Sequence, residues 1–400
     1  MPTLASSLFP SAYRSLLAEI AGDLADLDAG GLRRDLTVLE AVDGSTVRIG
    51  DKRLVCWCSN DYLGLSTHPR LIQAAHDAAQ KWGVGARASR LLAGSTDLHR
   101  QLEARLASWF QAEAAIVYPS GYLANLGTLG SLLSRGDAIF IDRLAHASLW
   151  DAARSTGARL RFFGHNDLSH VATLLARASS ARRRVIITEG VFSMDGDVPP
   201  LAELVEVAQT YDAWVYLDDA HGAFVMGQTG RGSPEAAGVP HERVLYMGTL
   251  GKALGAQGGF IVGPELLIRW LHHRARPFIY TTALAVPSVA AALEALRVVD
   301  EEPQRRKRLL ELASVLRDRL QSLGGVPPGF SPIVPLILGE PNRSLRVAAA
   351  LFAQGHWAPA IRPPTVPNHT ARLRLSVTAL HTRDQIEALT HTLRRILEQS

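Results

Sequence analysis

Trp214-Val215-Tyr216-Leu217-Asp218-Asp219-Ala220-His221-Gly222 opens with four apolar residues and closes with two carboxylates, a histidine and a glycine. The apolar part is branched or aromatic throughout, as expected of a parallel strand covered on both faces. The polar part then falls at the carboxyl end of that strand, where open α/β sheets bind their ligands. Runs of the same kind occur at 114–118, 138–141, 185–188 and 244–247. Helical stretches alternate with them from about residue 70, so the fold class is α/β, with helices layered on both faces of a mainly parallel sheet.

The ends of the neighbouring runs carry chemistry too. Residues 185–188 lead into Glu189-Gly190-Val191-Phe192-Ser193-Met194-Asp195-Gly196-Asp197, residues 138–141 into Asp142 and His146, and residues 244–247 into Thr249 and Lys252. Lys252 lies in Gly248-Thr249-Leu250-Gly251-Lys252-Ala253-Leu254-Gly255, where a long cationic side chain has no packing role. Only four of the 42 Lys and Arg residues are lysines. An amine can form a Schiff base with an aldehyde and a guanidinium cannot, so Lys252 is a candidate anchor for pyridoxal 5'-phosphate (PLP). A carboxylate beside the pyridine nitrogen would keep that ring protonated. Asp218 is the choice for it, although Asp218 read alone also fits a helix N-cap, and Asp218 with His221 a metal pair lacking a third ligand.

A phosphate needs backbone N–H groups at a helix start. Ser120-Gly121-Tyr122 supplies them directly after a strand, and Thr249 adds a hydroxyl. This is neither a nucleophile elbow nor a P-loop, because the required glycine and the Ser/Thr after the lysine are missing. His146 fits either a residue stacked on a cofactor ring or a helix cap. In Ile361-Arg362-Pro363-Pro364-Thr365-Val366-Pro367, prolines fix the backbone around one guanidinium, a good arrangement for clamping a carboxylate.

The gross numbers agree with a globular enzyme: 400 residues, 47% hydrophobic, 20% charged, net charge +4. The basic runs 182–184 and 305–308 lack interleaved aromatics and read as solvated faces rather than a nucleic-acid site. No apolar run reaches the ~20 residues of a membrane span, and Met1 to Ala18 lacks the pattern of a signal peptide. Cys56 and Cys58 alternate along a strand at 54–58 and read as buried thiols sharing a face. These features point to a cytoplasmic protein. The organisation expected is an N-terminal helical and strand segment (1–58), a large domain (59–285) and a smaller α+β domain (286–400). The helices of the last part fall at 287–300, 304–323, 343–354 and 383–398, and its strands at 333–338 and 372–377.

Together these stretches resemble the α-oxoamine synthases of the fold-type I PLP enzymes. The resemblance runs through Ser59-Asn60-Asp61-Tyr62-Leu63-Gly64-Leu65, residues 85–90, His146-Ala147-Ser148-Leu149, residues 188–197, 218–222 and 248–252. Residues 361–367 and 371–376 are similar to the biotin branch of that family. What the resemblance implies is decarboxylative condensation of L-alanine with a pimeloyl thioester, carried by CoA or by an acyl carrier protein, on PLP. Lys252 would hold the cofactor and act as acid/base, Asp218 would pair with the pyridinium, His221 and Ser193 would contact the ring hydroxyl, and His146 would stack on the ring. Gly121, Tyr122 and Thr249 would surround the phosphate. Tyr280, Thr281 and Thr282 would reach in from the second subunit of a homodimer. Asn60 and Arg362 would handle the amino-acid carboxylate, Thr365 would also line the substrate site, and Arg33 or its neighbour Arg34 would lie near the acyl chain, with Arg33 preferred. Competing readings are a relative condensing glycine with acetyl-CoA or succinyl-CoA, one condensing serine with a long acyl-CoA, and a non-catalytic partner subunit. Lys252 argues against the last.

Overall fold

The computed structural model describes residues 10–399; the signal-peptide reading of Met1 to Ala18 therefore falls partly outside the described residues. The first element of the described residues is the helix Ser11–Ala29, which has no buried residue. Three short antiparallel strands follow, β1 (Ala41–Asp43), β2 (Thr46–Ile49) and β3 (Lys52–Cys56). β3 was expected to continue to residue 58, but it stops at Cys56. There the fully buried Trp57 turns inward and stacks on His381, ring centroids 4.1 Å apart. Its carbonyl accepts the Ser376 N–H at 2.6 Å, a bond across to the C-terminal part of the chain. Cys56 and Cys58 still lie together, with their sulfurs 3.7 Å apart.

The central sheet has seven strands: β4 (Ala114–Tyr118), β5 (Ala138–Asp142), β6 (Arg159–Phe163), β7 (Arg184–Glu189), β8 (Trp214–Asp218), β9 (Val244–Thr249) and β10 (Gly259–Gly263). Their spatial order is β4-β10-β9-β8-β7-β5-β6. All neighbours from β9 to β6 pair in parallel, and β10 runs antiparallel between β9 and β4. Ile139, Val185, Ile186, Val215, Leu217 and Phe260 are fully buried within it. Sequence periodicity passed over two of these strands for physical reasons. β6 is an edge strand whose Arg159, Arg161 and Phe162 are exposed, so it lacks the apolar run of a covered strand. β10 is a five-residue piece with a glycine at each end.

The C-terminal part folds on a three-stranded sheet in the order β11 (Ile333–Gly339), β14 (Ala371–Ser376), β13 (Ala360–Ile361). The remaining short strand, β12 (His356–Trp357), leaves this sheet and pairs in parallel with β3. N- and C-terminal segments are therefore stitched together beside the large sheet. The long helix Val286–Glu301 begins at the boundary expected near residue 285 and packs back against the helices Pro69–Trp82 and Asp97–Trp109. Among the described residues, no helix is long and apolar enough to cross a membrane.

Candidate active site

The four strands whose ends carry functional groups are neighbours in the sheet, and their carboxyl ends open onto one cavity of about 360 Å3. It gathers Asn60, Gly121, Tyr122, His146, Ser193, Asp218, His221, Thr249 and Lys252.

Lys252 is presented by a tightly tied turn after β9. The Thr249 hydroxyl donates to the Gly258 carbonyl at 2.8 Å and accepts the Gly251 N–H at 3.2 Å. Gly255 closes the turn with φ +61, and a Cβ there would stand 2.3 Å from the backbone nitrogen of Ser66. Burial lowers the Lys252 pKa, Arg374 pushes the same way, and Asp218 and Glu189 oppose both. The amine is thus easier to deprotonate than a surface lysine, which suits a nucleophile or a proton carrier.

The adjacent aspartates at the end of β8 part company. Asp218 faces the cavity, accepts from Asn125 Nδ2 at 2.7 Å and caps the Ala220 N–H at 3.0 Å. Asn125 is itself oriented by the hydroxyl of Tyr216, which donates to its Oδ1 at 2.8 Å. Asp219 points into the protein and accepts from the Ser233 N–H, the Ser233 hydroxyl and the Tyr246 hydroxyl at 2.6 to 2.8 Å. It contributes nothing to the cavity wall.

The helix Gly121–Leu132 begins at this wall, with Ser120 as N-cap accepting the Leu123 N–H at 3.2 Å. Its first N–H groups have no partner within the helix. A Cβ on Gly121 would lie 2.8 Å from Met247 Cε, and one on Gly259 would lie 2.6 Å from Gly121 Cα. Only a glycine at 259 allows β10 and the helix start to approach this closely, leaving a backbone cradle for an anion.

His146 caps a helix and also lines the cavity. Its Nδ1 accepts the Ser148 N–H at 3.2 Å as an N-cap, and its ring remains open to the cavity. Its backbone N–H donates to Glu189 Oε1 at 2.6 Å. Burial lowers the His146 pKa, and burial with the nearby Asp218 charge raises that of Glu189 well above the carboxylate range. Burial, Lys252 and Arg374 push the His221 pKa well below its ordinary value. Its Nδ1 is 2.6 Å from the Tyr62 hydroxyl.

One residue of the cavity escaped sequence reasoning. Arg374, on β14, reaches across from the small sheet and lines the cavity. It donates to Asn60 Oδ1 at 3.1 Å, the Tyr62 hydroxyl at 3.3 Å, the Ser376 hydroxyl at 2.8 Å and the Ser193 carbonyl. A signal existed: Arg372 and Arg374 alternate through a strand every residue of which is buried. Arg362, expected at the amino-acid carboxylate, and Thr365 and Arg33 stand outside the cavity instead. Arg362 donates to the carbonyls of Gly31 and Arg33, the latter at 3.0 Å. Arg34 Nη2 donates to the Thr365 hydroxyl at 3.2 Å. Arg33 itself pairs with Asp28 and Asp35 in solvent. These four residues join two chain segments outside the cavity lining. Tyr280, Thr281 and Thr282 also lie away from the cavity of their own chain.

A buried carboxylate, an amine of lowered pKa, an open aromatic ring and an anion cradle fit PLP. Residues 52–393 match the model of the family described as aminotransferase class I and II. The chain belongs to this family. Among its relatives is the 8-amino-7-oxononanoate synthase of Aromatoleum aromaticum, 45% identical over 386 residues, 96% of this chain and 100% of that one. The protein of the same name from Anaeromyxobacter dehalogenans is 46% identical over 385 residues, 96% of each chain. Among solved structures, a serine palmitoyltransferase variant from S. paucimobilis with a bound PLP–myriocin aldimine superposes with a TM-score of 0.91 at 29% identity, covering 96% of this chain and 98% of that one. The 8-amino-7-oxononanoate synthase of Francisella tularensis gives 0.76 at 28% identity, covering 86% and 98%. The family match and these shapes make the fold that of the fold-type I PLP enzymes.

Proposed function

We infer that this protein is a PLP-dependent acyltransferase of biotin biosynthesis. It condenses L-alanine with a pimeloyl thioester and releases carbon dioxide, the free thiol and 8-amino-7-oxononanoate. The observation that carries this reading is identity of about 45% over nearly the full length of synthases so named, with Lys252, Asp218 and His146 converging in one cavity. The serine palmitoyltransferase shape is the better superposition, but its identity is only 29%. Shape at that identity reports the scaffold, and the nearer sequences report the substrate.

Lys252 would hold the cofactor, Asp218 its ring nitrogen, and the start of the helix Gly121–Leu132 with Thr249 its phosphate. When bound, PLP supplies an electron sink for negative charge developing at the substrate carbon. The residues do the rest. Asp218, kept in place by Asn125, would hold a proton at the ring nitrogen. His146 would present its ring face to the cofactor, and His221 and Ser193 would hold its ring hydroxyl. The Lys252 amine, made less basic by burial, takes the α-proton of alanine and returns one later. Arg374 binds the alanine carboxylate with Asn60 and orients the α-proton toward Lys252. Arg362 and Thr365, tied to residues 31–34, would form the side that receives the acyl donor, with Arg34, which reaches Thr365, nearer its chain than Arg33, which pairs with Asp28 and Asp35 in solvent.

The acyl carrier is CoA or an acyl carrier protein. A homodimer is the working assembly, in which Thr281 and Thr282 serve the partner's cavity; their position away from the cavity of their own chain supports this. Two free thiols suit a reducing compartment, and we place the enzyme in the cytoplasm. Substrate competition tests the reading. With PLP bound and L-alanine, glycine and L-serine supplied together, alanine should be consumed with pimeloyl-CoA. Preference for glycine with acetyl-CoA would replace this reading with that of a sister enzyme.

A further inference from the structure

His165 lies just beyond β6 and has no part in the chemistry above. Its Nδ1 is 3.0 Å from Asp142 Oδ1, at the end of β5, and its Nε2 is 2.8 Å from Asp197 Oδ2, beyond the end of β7. A neutral imidazole has one N–H and could satisfy only one of these carboxylates, whereas an imidazolium satisfies both. Asp142 is completely buried and also accepts the backbone N–H groups of Leu144 and Asn166. Asp197 takes a second bond from Asn166 Nδ2 at 2.9 Å, and its other oxygen has no partner. The Phe192 and His165 rings stand perpendicular, with 4.4 Å between centroids.

The residues so anchored, 192–197, form the loop through which the small sheet grips the large one. Arg374 holds the Ser193 carbonyl, Arg372 holds Asp195 and the Met194 carbonyl, and the Ser331 hydroxyl donates to the Gly196 carbonyl at 2.6 Å. Gly196, at φ +68, lies so close to Ile333 that a Cβ would stand 2.4 Å from its carbonyl oxygen. On the opposite side, only the His165 and Asn166 side chains tie Asp197 to the ends of β5 and β6.

We propose that His165 is a positioning residue for the reaction: as an imidazolium clamped between Asp142 and Asp197, it fixes the loop that carries Ser193 and thereby the aim of Arg374. This inference rests on the reading of Arg374 as the carboxylate-binding group. Burial works against the charge on His165, but its hydrogen bonds to Asp142 and Asp197 and their negative charges outweigh burial and raise its pKa to about 9. The charged groups facing the ring are those two carboxylates, one from β5 and one from the loop after β7. Because the folded value lies above the ordinary one, the clamp contributes stability fully below about pH 6.5 and loses it as pH rises through about 9.

The test compares wild-type holoenzyme with His165→Asn in two measurements. One is alanine affinity from the visible absorbance of the bound cofactor; the other is Tm from about pH 6 to about pH 10. The variant should bind alanine about tenfold more weakly near neutral pH, with a lowered Tm that converges on the wild-type curve above about pH 9. Unchanged alanine affinity, or a Tm gap that does not close at high pH, would overturn the proposal. Should His165→Asn not fold, Asp197→Asn gives the same two readings, with its Tm curve falling at lower pH than that of the wild type. A wild-type enzyme whose spectrum ignores alanine would instead defeat the reading of the cavity itself.

Discussion

The end of β8 and the stretch 360–374 both line the cavity, yet they differ in how their polar groups are held. At β8, adjacent residues face opposite ways by strand geometry: Asp218 enters the cavity, and Asp219 is spent on Ser233 and Tyr246. The site there is built from one sheet, and its direction follows from which end of the strand is polar. In the stretch 360–374, the two prominent arginines belong to β14 and to the segment after β13, and each crosses to another part of the chain. Arg374 crosses to Asn60 and Ser193, and Arg362 to residues 31–33. A site residue is therefore readable when its own strand aims it, and unreadable when tertiary packing aims it.

Variants can break or sharpen this contrast. Lys252→Ala should have the largest effect, lowering kcat by about 10^4-fold or more and removing the cofactor's visible absorbance on dialysis. Asp218→Asn should lower kcat by roughly 100- to 1000-fold with the protein still folded, because a neutral amide no longer holds the ring nitrogen protonated. Arg374→Lys should raise the KM for alanine by about 10- to 100-fold, since an ammonium cannot keep the forked contacts to Asn60, Ser193 and substrate together. Arg362→Ala should spare alanine binding and raise the KM of the acyl donor by about tenfold or less. Equal effects of the two arginine variants on alanine would erase the distinction drawn between them. Asp219→Asn should touch catalysis least: it should lower stability by about 1 to 3 kcal/mol in denaturant unfolding, leaving kcat within severalfold of wild type.

The large sheet was legible because five of its strands are covered on both faces and so lack polar interruptions. Lys252, Asp218 and His146 followed from their place at those strand ends. The helices after residue 286 were legible from periodicity alone, to within two residues at most boundaries. What escaped has a common cause. β6 is exposed at the edge, β10 is short and bounded by glycines, and β12 pairs with β3 some 300 positions earlier. None of these carries a local pattern that distinguishes it from a turn. Arg374 escaped because a buried arginine in a strand declares only that it has partners, and those partners are Asn60, Tyr62 and Ser193. Arg362 attracted notice through its prolines, which constrain its backbone but do not say where its side chain points.

The central claim is that the strand-end cavity joins alanine to a pimeloyl group on a cofactor held by Lys252. The most direct measurement is mass detection of the product from purified holoenzyme given L-alanine with pimeloyl-CoA or a pimeloyl-acyl carrier protein. The account predicts 8-amino-7-oxononanoate from at least one donor and none from Lys252→Ala. No such product from either donor, with condensation of glycine and acetyl-CoA in its place, would contradict it.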